Sequence, residues 1–157
     1  MDIKKIGVVG AGTMGNGIAQ AFSVSGFPVV MSDISDAAVQ RGLATVSGSL
    51  DRLIKKEKMS VEQKAEAMAR ISVTTDVGAL KPEAVLATNT SSISVTKLAA
   101  ATGRADRVIG MHFFNPVPMM ALVELIRGLQ TSDATYAACE QVSRAVGKTP
   151  VPVRNSP

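Results

Sequence analysis

The sequence predicts an α/β domain with a doubly wound, mostly parallel sheet, and three observations carry the prediction. Residues 3–9, Ile-Lys-Lys-Ile-Gly-Val-Val, read as a strand that runs into a glycine-rich turn at Gly10. A helix opens directly from that turn. Strands and helices then alternate as β-α-β-α-α-β through residue 75, the order in which helices serve as crossovers between parallel strands. The chain has 157 residues, 46% hydrophobic and 19% charged, which suits one domain that buries about two-thirds of its unfolded surface.

After the first strand, Met14, Ile18, Ala21 and Phe22 recur at helical spacing. A second buried strand is expected over 28–33, with Pro28 tolerable only at its start. The next helix is long and amphipathic, about residues 37–56, with Val39, Leu43, Val46, Leu50, Leu53 and Ile54 on one stripe. Ser60 is the expected N-cap of a further helix, and Gln63 the reciprocal partner in a capping box. Residues 71–75 are short and β-branched, a third strand.

The alternation then breaks. The next strand, 84–88, follows only eight residues later, whereas a crossover between parallel strands needs on the order of 10–12 including its helix. Either these strands are not parallel neighbours, or one strand-helix unit is missing. Asn89-Thr90-Ser91-Ser92 reads as a helix entrance, and 93–101 as a short helix. Strands are expected over 107–113 and 121–126, and a helix over 131–146 capped by Ser132 or Asp133 and ended by Gly147. Residues 151–153 are a last short strand.

Composition narrows the function. Lys and Arg exceed Asp and Glu by 17 to 13, with four Phe, one Tyr and no Trp, and the pI is near 9.5. So mild an excess fits an anionic small molecule better than nucleic acid, which asks for a denser basic stripe and stacking rings. No apolar run reaches the roughly 18 residues of a membrane-spanning helix. Cys139 is the sole cysteine, so neither an internal disulfide nor a cysteine metal cluster is expected, and a reducing, cytoplasmic setting fits. Ala19-Gln20-Ala21 mimics a signal-peptidase site, but glycines and an Asn interrupt the stretch before it.

Gly10-Ala11-Gly12-Thr13-Met14-Gly15 is GxGxxG placed directly after a strand and opening a helix. The first glycine allows the turn, the second lets a pyrophosphate approach the backbone, and the third lets helix and strand pack closely. Unpaired N–H groups at the helix start face the phosphates. Asp33 follows Gly15 by 18 residues, where an acid accepts both ribose hydroxyls of an adenosine. A carboxylate repels a 2′-phosphate, and no Arg follows within three positions, so the Rossmann-type site is expected to take NAD rather than NADP. The bland alternative is a glycine-rich turn with Asp33 starting a helix.

His112 is the only histidine and lies near the end of an apolar strand. Glu124 interrupts the apolar run 121–126, where a lone carboxylate is costly to bury. A hairpin around Asn115-Pro116-Val117-Pro118 with pairing sums near 236 sets Glu124 opposite His112. A carboxylate on one ring nitrogen orients the imidazole and raises its basicity, leaving the other nitrogen as a general base; the alternative is a structural ion pair. Asn89 and Ser91 end a strand at the carboxyl edge of the sheet, where capping is the ordinary use of such residues. Arg52, Lys55, Lys56 and Lys58 close the long helix, where cations complement its dipole or meet substrate phosphates.

The Gly10-Ala-Gly-Thr-Met-Gly-Asn-Gly-Ile-Ala stretch, Asn89-Thr-Ser-Ser, and above all His112-Phe-Phe-Asn-Pro-Val-Pro-Met-Met with Leu122-Val-Glu124 resemble the NAD-binding domain of 3-hydroxyacyl-CoA dehydrogenases. Bacterial 3-hydroxybutyryl-CoA dehydrogenases are especially similar. The resemblance covers nearly the whole chain. It implies that His112 removes the 3-hydroxyl proton while C3 passes hydride to the nicotinamide, that Glu124 holds and polarises His112, and that Ser91 hydrogen-bonds the substrate oxygen. It further implies that Ser49 and Lys56 contact coenzyme A and that Asn115 shapes the His112 loop. Two departures stand beside the match. Between Leu80 and Lys81 the family carries about one more strand and helix, with an acidic motif beside the nicotinamide. After Asn155-Ser-Pro157 it continues into a helical domain that brings a catalytic Asn and most of the dimer interface, which this sequence does not include. The implied function is a short-chain 3-hydroxyacyl-CoA dehydrogenase with an acyl-CoA substrate, homo-oligomerisation being left open. The alternatives are a catalytically silent NAD-binding fragment, one that pairs through an exposed sheet edge, a flavin-binding domain, or an NAD-sensing module.

Overall fold

The computed structural model describes residues 3–76, 85–89 and 94–154, which divide between two compact units. One unit spans Lys4–Leu80 with Pro116–Pro118. Its strands β1 (Ile6–Val9), β2 (Val29–Ser32) and β3 (Ile71–Thr74) form a parallel sheet in that order, with Ile6 beside Val29 and Val29 beside Ile71. Val8, Val29, Met31 and Ile71 are buried. The first strand begins three residues later than the apolar pattern suggests, at the level of Pro28. Ile6 N–H donates to Pro28 O at 2.9 Å, and Pro28 has no N–H with which to extend the ladder back past Lys5.

Three helices accompany this sheet: α1 (Thr13–Val24), α2 (Asp36–Lys55) and α3 (Val61–Ala69). α2 starts where Ser35 Oγ accepts from Ala38 N–H, and it buries Val39, Gly42, Val46 and Leu50 along one stripe. Leu43, Leu53 and Ile54, expected on that stripe, are only half-buried at its margins. α3 has the expected capping box, with Gln63 N–H donating to Ser60 Oγ at 3.1 Å and Ser60 N–H to Gln63 Oε1 at 2.8 Å. α1 differs, because its N-cap is Gly12 and no side chain caps it. Its first-turn N–H groups therefore lack the side-chain acceptor that serine supplies to α2 and α3.

The other unit holds β4 (Leu86–Thr88), β5 (Val108–Phe113), β6 (Leu122–Arg127) and β7 (Thr149–Arg154), in that spatial order. β4 and β5 are parallel, β5 and β6 antiparallel, β6 and β7 parallel. Helices α4 (Val95–Ala100) and α5 (Asp133–Ala145) belong to it, with Val95, Ala99 and Val108 in one buried cluster. β3 and β4 thus lie in different sheets and are not parallel neighbours. Ala84 and Ile93, the expected starts of β4 and α4, lie outside the described residues. Ser132 caps α5 through Thr135 N–H, and Gly147 follows it at φ +77.

β7 is longer than the expected 151–153 because prolines at an edge are less disruptive than they read. Thr149 N–H donates to Ala121 O at 2.7 Å, so residues 149, 151 and 153 face β6. Pro150 and Pro152 direct their missing donors to the unpaired side. A 3₁₀ turn at Ala105–Arg107, not expected from the sequence, leads into β5.

Thr131 ties the far end of the β5–β6 pair. Its hydroxyl donates to Val108 O at 2.7 Å and accepts from Gly128 N–H at 2.9 Å, and the residue is 5% exposed. Thr131→Val keeps the shape but leaves both main-chain groups unsatisfied. The expected cost is about 2 kcal/mol, to be read from the denaturant midpoint; an unchanged midpoint would show that water reaches both groups.

Candidate functional site

The glycine-rich loop is held in place before any ligand arrives. Gly10 takes φ +99, a conformation open to glycine, and its N–H donates to Ser32 O at 2.7 Å. Ala11 N–H donates to Asp33 Oδ2 at 2.8 Å, and Ile34 N–H to Asp33 Oδ1 at 2.7 Å. Those two N–H groups, Ala11's first, hold the Asp33 carboxyl below its ordinary pKa, with a smaller contribution from the Arg41 charge. Two backbone bonds leave the carboxylate further lone pairs for a ligand. Asp33 does not start the following helix, because Ser35 fills the N-cap.

Each glycine of the loop has a distinct environment. A Cβ on Gly15 would lie 1.8 Å from Gly10 O, so α1 meets the end of β1 only because a hydrogen stands there. A Cβ on Gly12 would meet nothing within 4 Å, and Gly12 and Thr13 are exposed while Met14 is half-buried. A cleft of ≈ 340 Å³ opens beside Ala11, Gly12, Thr13 and Asp33. Its opposite wall is α2, which presents Ala38, Arg41, Gly42 and Thr45 at the i, i+3, i+4, i+7 spacing of one helix face. Gly42 permits the approach, since a Cβ there would lie 2.7 Å from Ala11 O.

Arg41 and Gly42 escape a reading confined to the loop and its immediate successors. Arg41 is eight residues beyond Asp33, well past the arginine-free positions 34–36, yet it shares the cleft with that carboxylate. The absence of a nearby arginine in sequence is therefore not an absence in space. The available signal was the α2 periodicity, which places residue 41 one turn from 38 and one from 45.

In the other unit, β5 and β6 pair with a constant register sum of 236, which sets His112 opposite Glu124. His112 Nδ1 lies 3.6 Å from Glu124 Oε2. That is ion-pair reach for a protonated imidazole and too long for a hydrogen bond. The side chains are 27% and 33% exposed, so the pair is accessible to a ligand. The His112 ring also lies against Phe114, centroids 4.8 Å apart. Asn89 acts here in a way a capping reading does not anticipate: its Oδ1 accepts from Phe113 N–H at 2.7 Å. The β4–β5 ladder ends at Thr88 beside Gly110, and this side chain pins the backbone immediately after His112.

Ser91 lies outside the described residues. Ser49 is half-buried on α2 and Lys56 is the exposed C-cap of that helix, seven residues apart and so two turns along one side; neither lines the cleft. Asn115 is exposed. Cys139 is buried, and desolvation pushes its thiol up to about 12, which suits packing rather than chemistry. Among the described residues no cluster of His, Cys, Asp and Glu is arranged to hold a metal ion, and no helix is long and apolar enough to cross a membrane.

Comparison with known proteins bears on both halves. The sequence matches the family described as 3-hydroxyacyl-CoA dehydrogenase, NAD binding domain, over residues 5–81 and again over 77–156. It is 42% identical to a 3-hydroxybutyryl-CoA dehydrogenase of Bradyrhizobium diazoefficiens, covering 93% of this chain and 59% of that protein. The crystal structure of (S)-3-hydroxybutyryl-CoA dehydrogenase from Ralstonia eutropha superposes with a TM-score of 0.95 at 56% identity, over 99% of this chain and 65% of that one. The Escherichia coli 3-hydroxybutyryl-CoA dehydrogenase structure gives a TM-score of 0.96 at 31% identity, over 100% and 39%. These neighbours share the Rossmann-type fold, and the chain spans about three-fifths of the length of the curated relatives it matches. The alignment to a probable 3-hydroxybutyryl-CoA dehydrogenase of Bacillus subtilis runs over 185 positions and covers 100% of these 157 residues. About 28 of its positions thus have no residue here, and the family match itself divides at residues 77–81, between β3 and β4.

Proposed function

The chain belongs to the 3-hydroxyacyl-CoA dehydrogenase family, as its NAD-binding domain, and from that premise we propose that residues 1–157 form a module that binds NAD and carries the proton-transfer residues for interconverting (3S)-3-hydroxyacyl-CoA and 3-oxoacyl-CoA. The substrate class is short-chain, with 3-hydroxybutyryl-CoA the first candidate. The observation that carries the reading is the convergence, in one cleft, of an α1 N-terminus without a side-chain cap, an open Gly12 and an Asp33 carboxylate with lone pairs to spare.

Each residue has a stated task. Gly12, Thr13 and Met14 receive the pyrophosphate on main-chain N–H groups, with Gly10, Ala11 and Gly15 fixing the loop. Asp33 accepts the adenosine ribose hydroxyls. NAD supplies the hydride acceptor when bound. His112 takes the 3-hydroxyl proton on Nε2, and Glu124 faces Nδ1 to orient the ring and stabilise the imidazolium. Ser91 hydrogen-bonds the substrate oxygen, and Ser49 and Lys56 hold coenzyme A.

A second reading, an NAD-binding module without turnover, is favoured by one observation: the positions missing at residues 77–81 are those in which the family resemblance places the acidic motif beside the nicotinamide. Calorimetry with NAD and ADP-ribose tests both readings. The expected result is binding of each, with dissociation constants within about threefold, because the adenosine half of the cleft is intact. A large gain from the nicotinamide would show that its half is rebuilt by other residues. Failure of both ligands to bind would remove the NAD reading altogether.

A further inference from the structure

β1 is an edge strand of its three-stranded sheet. Ile6 N–H donates to Pro28 O and Gly10 N–H to Ser32 O, so residues 6, 8 and 10 face β2, and Gly7 and Val9 turn their N–H and C=O groups the opposite way. Among the described residues no hydrogen bond reaches those outward groups. Gly7 is exposed, and Val9 is 65% exposed. We propose that this edge is a docking site for an apolar strand of a different polypeptide, which pairs with the main chain of Gly7 and Val9 and covers the Val9 side chain.

An open edge is a template for pairing, and proteins blunt it with proline, charge or a bulge. The chain does so at β7, whose unpaired side carries Pro150 and Pro152. β1 has none of these devices: Ile6-Gly-Val-Val9 is uncharged, keeps its outward donors and runs in unbroken register beside β2. Strands of a parallel sheet are ordinarily covered on both faces, so the exposed Val9 marks a face without its cover. The alignment sets the size of what is missing. About 28 positions of the Bacillus subtilis relative have no residue here, and the family match divides between β3 and β4. A strand takes about 5–6 residues and a crossover with its helix about 10–12, so those positions suffice for both. A second copy of this chain lacks the same positions, which makes the fitting occupant a segment of another protein.

The probe is a synthetic peptide with the sequence of those unmatched positions in the Bacillus subtilis relative, added to the full chain and followed by calorimetry and amide hydrogen exchange. One peptide per chain is expected to bind with a Kd at or below about 100 µM. Exchange at the Gly7 and Val9 amides should slow by at least about tenfold, and a scrambled peptide should do neither. Val9→Pro removes a donor from the open side alone, as Pro150 does in β7, and is expected to weaken binding at least about 30-fold while the melting temperature moves by less than about 3 °C. Should the ring disturb the turn at Gly10, Val9→Lys sets a charge on the exposed face and is expected to weaken binding about tenfold. No binding to the folded protein, or binding that leaves Gly7 and Val9 exchanging freely, overturns the proposal. Protection of both amides that grows with the concentration of the protein alone also overturns it, by giving the edge to a second copy. None of these measurements involves NAD, so failure here leaves the NAD reading standing, and failure to bind NAD leaves this proposal standing.

Discussion

Gly15→Ala is expected to dismantle the loop end of β1 and lower the melting temperature by more than 10 °C, or prevent folding of that unit. The added Cβ would stand 1.8 Å from Gly10 O and 2.7 Å from Gly10 C. Both are main-chain atoms, so no rotamer change relieves the contact, and α1 must move off the strand by more than an ångström. Its displacement disturbs buried Ala19 and Phe22 on α1 and the Gly10–Ser32 and Ala11–Asp33 bonds. Ordinary overpacking costs about 1–3 kcal/mol; a clash between two main chains exceeds it and approaches the 5–15 kcal/mol that holds a typical domain together. Gly12→Ala is the matched control, because its Cβ meets nothing within 4 Å. That variant should melt within about 2 °C of the parent while losing NAD affinity, since the methyl occupies space assigned to the pyrophosphate. Equal melting of the two variants would show that α1 accommodates the third glycine's side chain, contrary to the observed packing.

The features that were legible in sequence are those set by local spacing. Ser60 and Gln63 announce their capping box because both partners lie within one turn. The 236 register follows from a short hairpin whose apolar alternation tolerates only one phase; slipping it by one residue would turn Val123 and Leu125 out of the core. The break between β3 and β4 was legible because only residues 76–83 separate the two strands expected from the sequence, short of the roughly 10–12 a crossover needs. What escaped depends on distant segments meeting. Gly42 is an unremarkable helical glycine until α2 is laid on Ala11, and Arg41 joins Asp33 only through that same approach. Asn89 reads as a cap, yet its amide bonds Phe113, 24 residues away. The prolines of β7 read as breakers because their tolerance depends on which side of the strand is unpaired.

His112→Ala is expected to lower the rate of NADH oxidation with acetoacetyl-CoA, followed at 340 nm, by about 10²- to 10⁴-fold, the usual weight of a positioned general acid or base. In this direction the imidazolium delivers a proton to the 3-oxo oxygen, so loss of the ring removes the donor while leaving β5 in place. The side chain is 27% exposed, and melting should change little. Glu124→Gln separates the two tasks of the pair. An amide retains an oxygen that can face Nδ1 but not the charge that stabilises the imidazolium, so an intermediate loss of about 10- to 100-fold is expected. A Glu124→Gln enzyme as active as the parent would make the carboxylate an ion-pair partner and nothing more. Should the parent be folded, bind NAD and turn over nothing, the module without turnover is the correct reading: the His112–Glu124 register would then persist from the family's architecture without its chemistry. Turnover in the parent that survives His112→Ala would exclude the pair as the proton-transfer site, since the sequence has no second histidine to deliver the proton in its place.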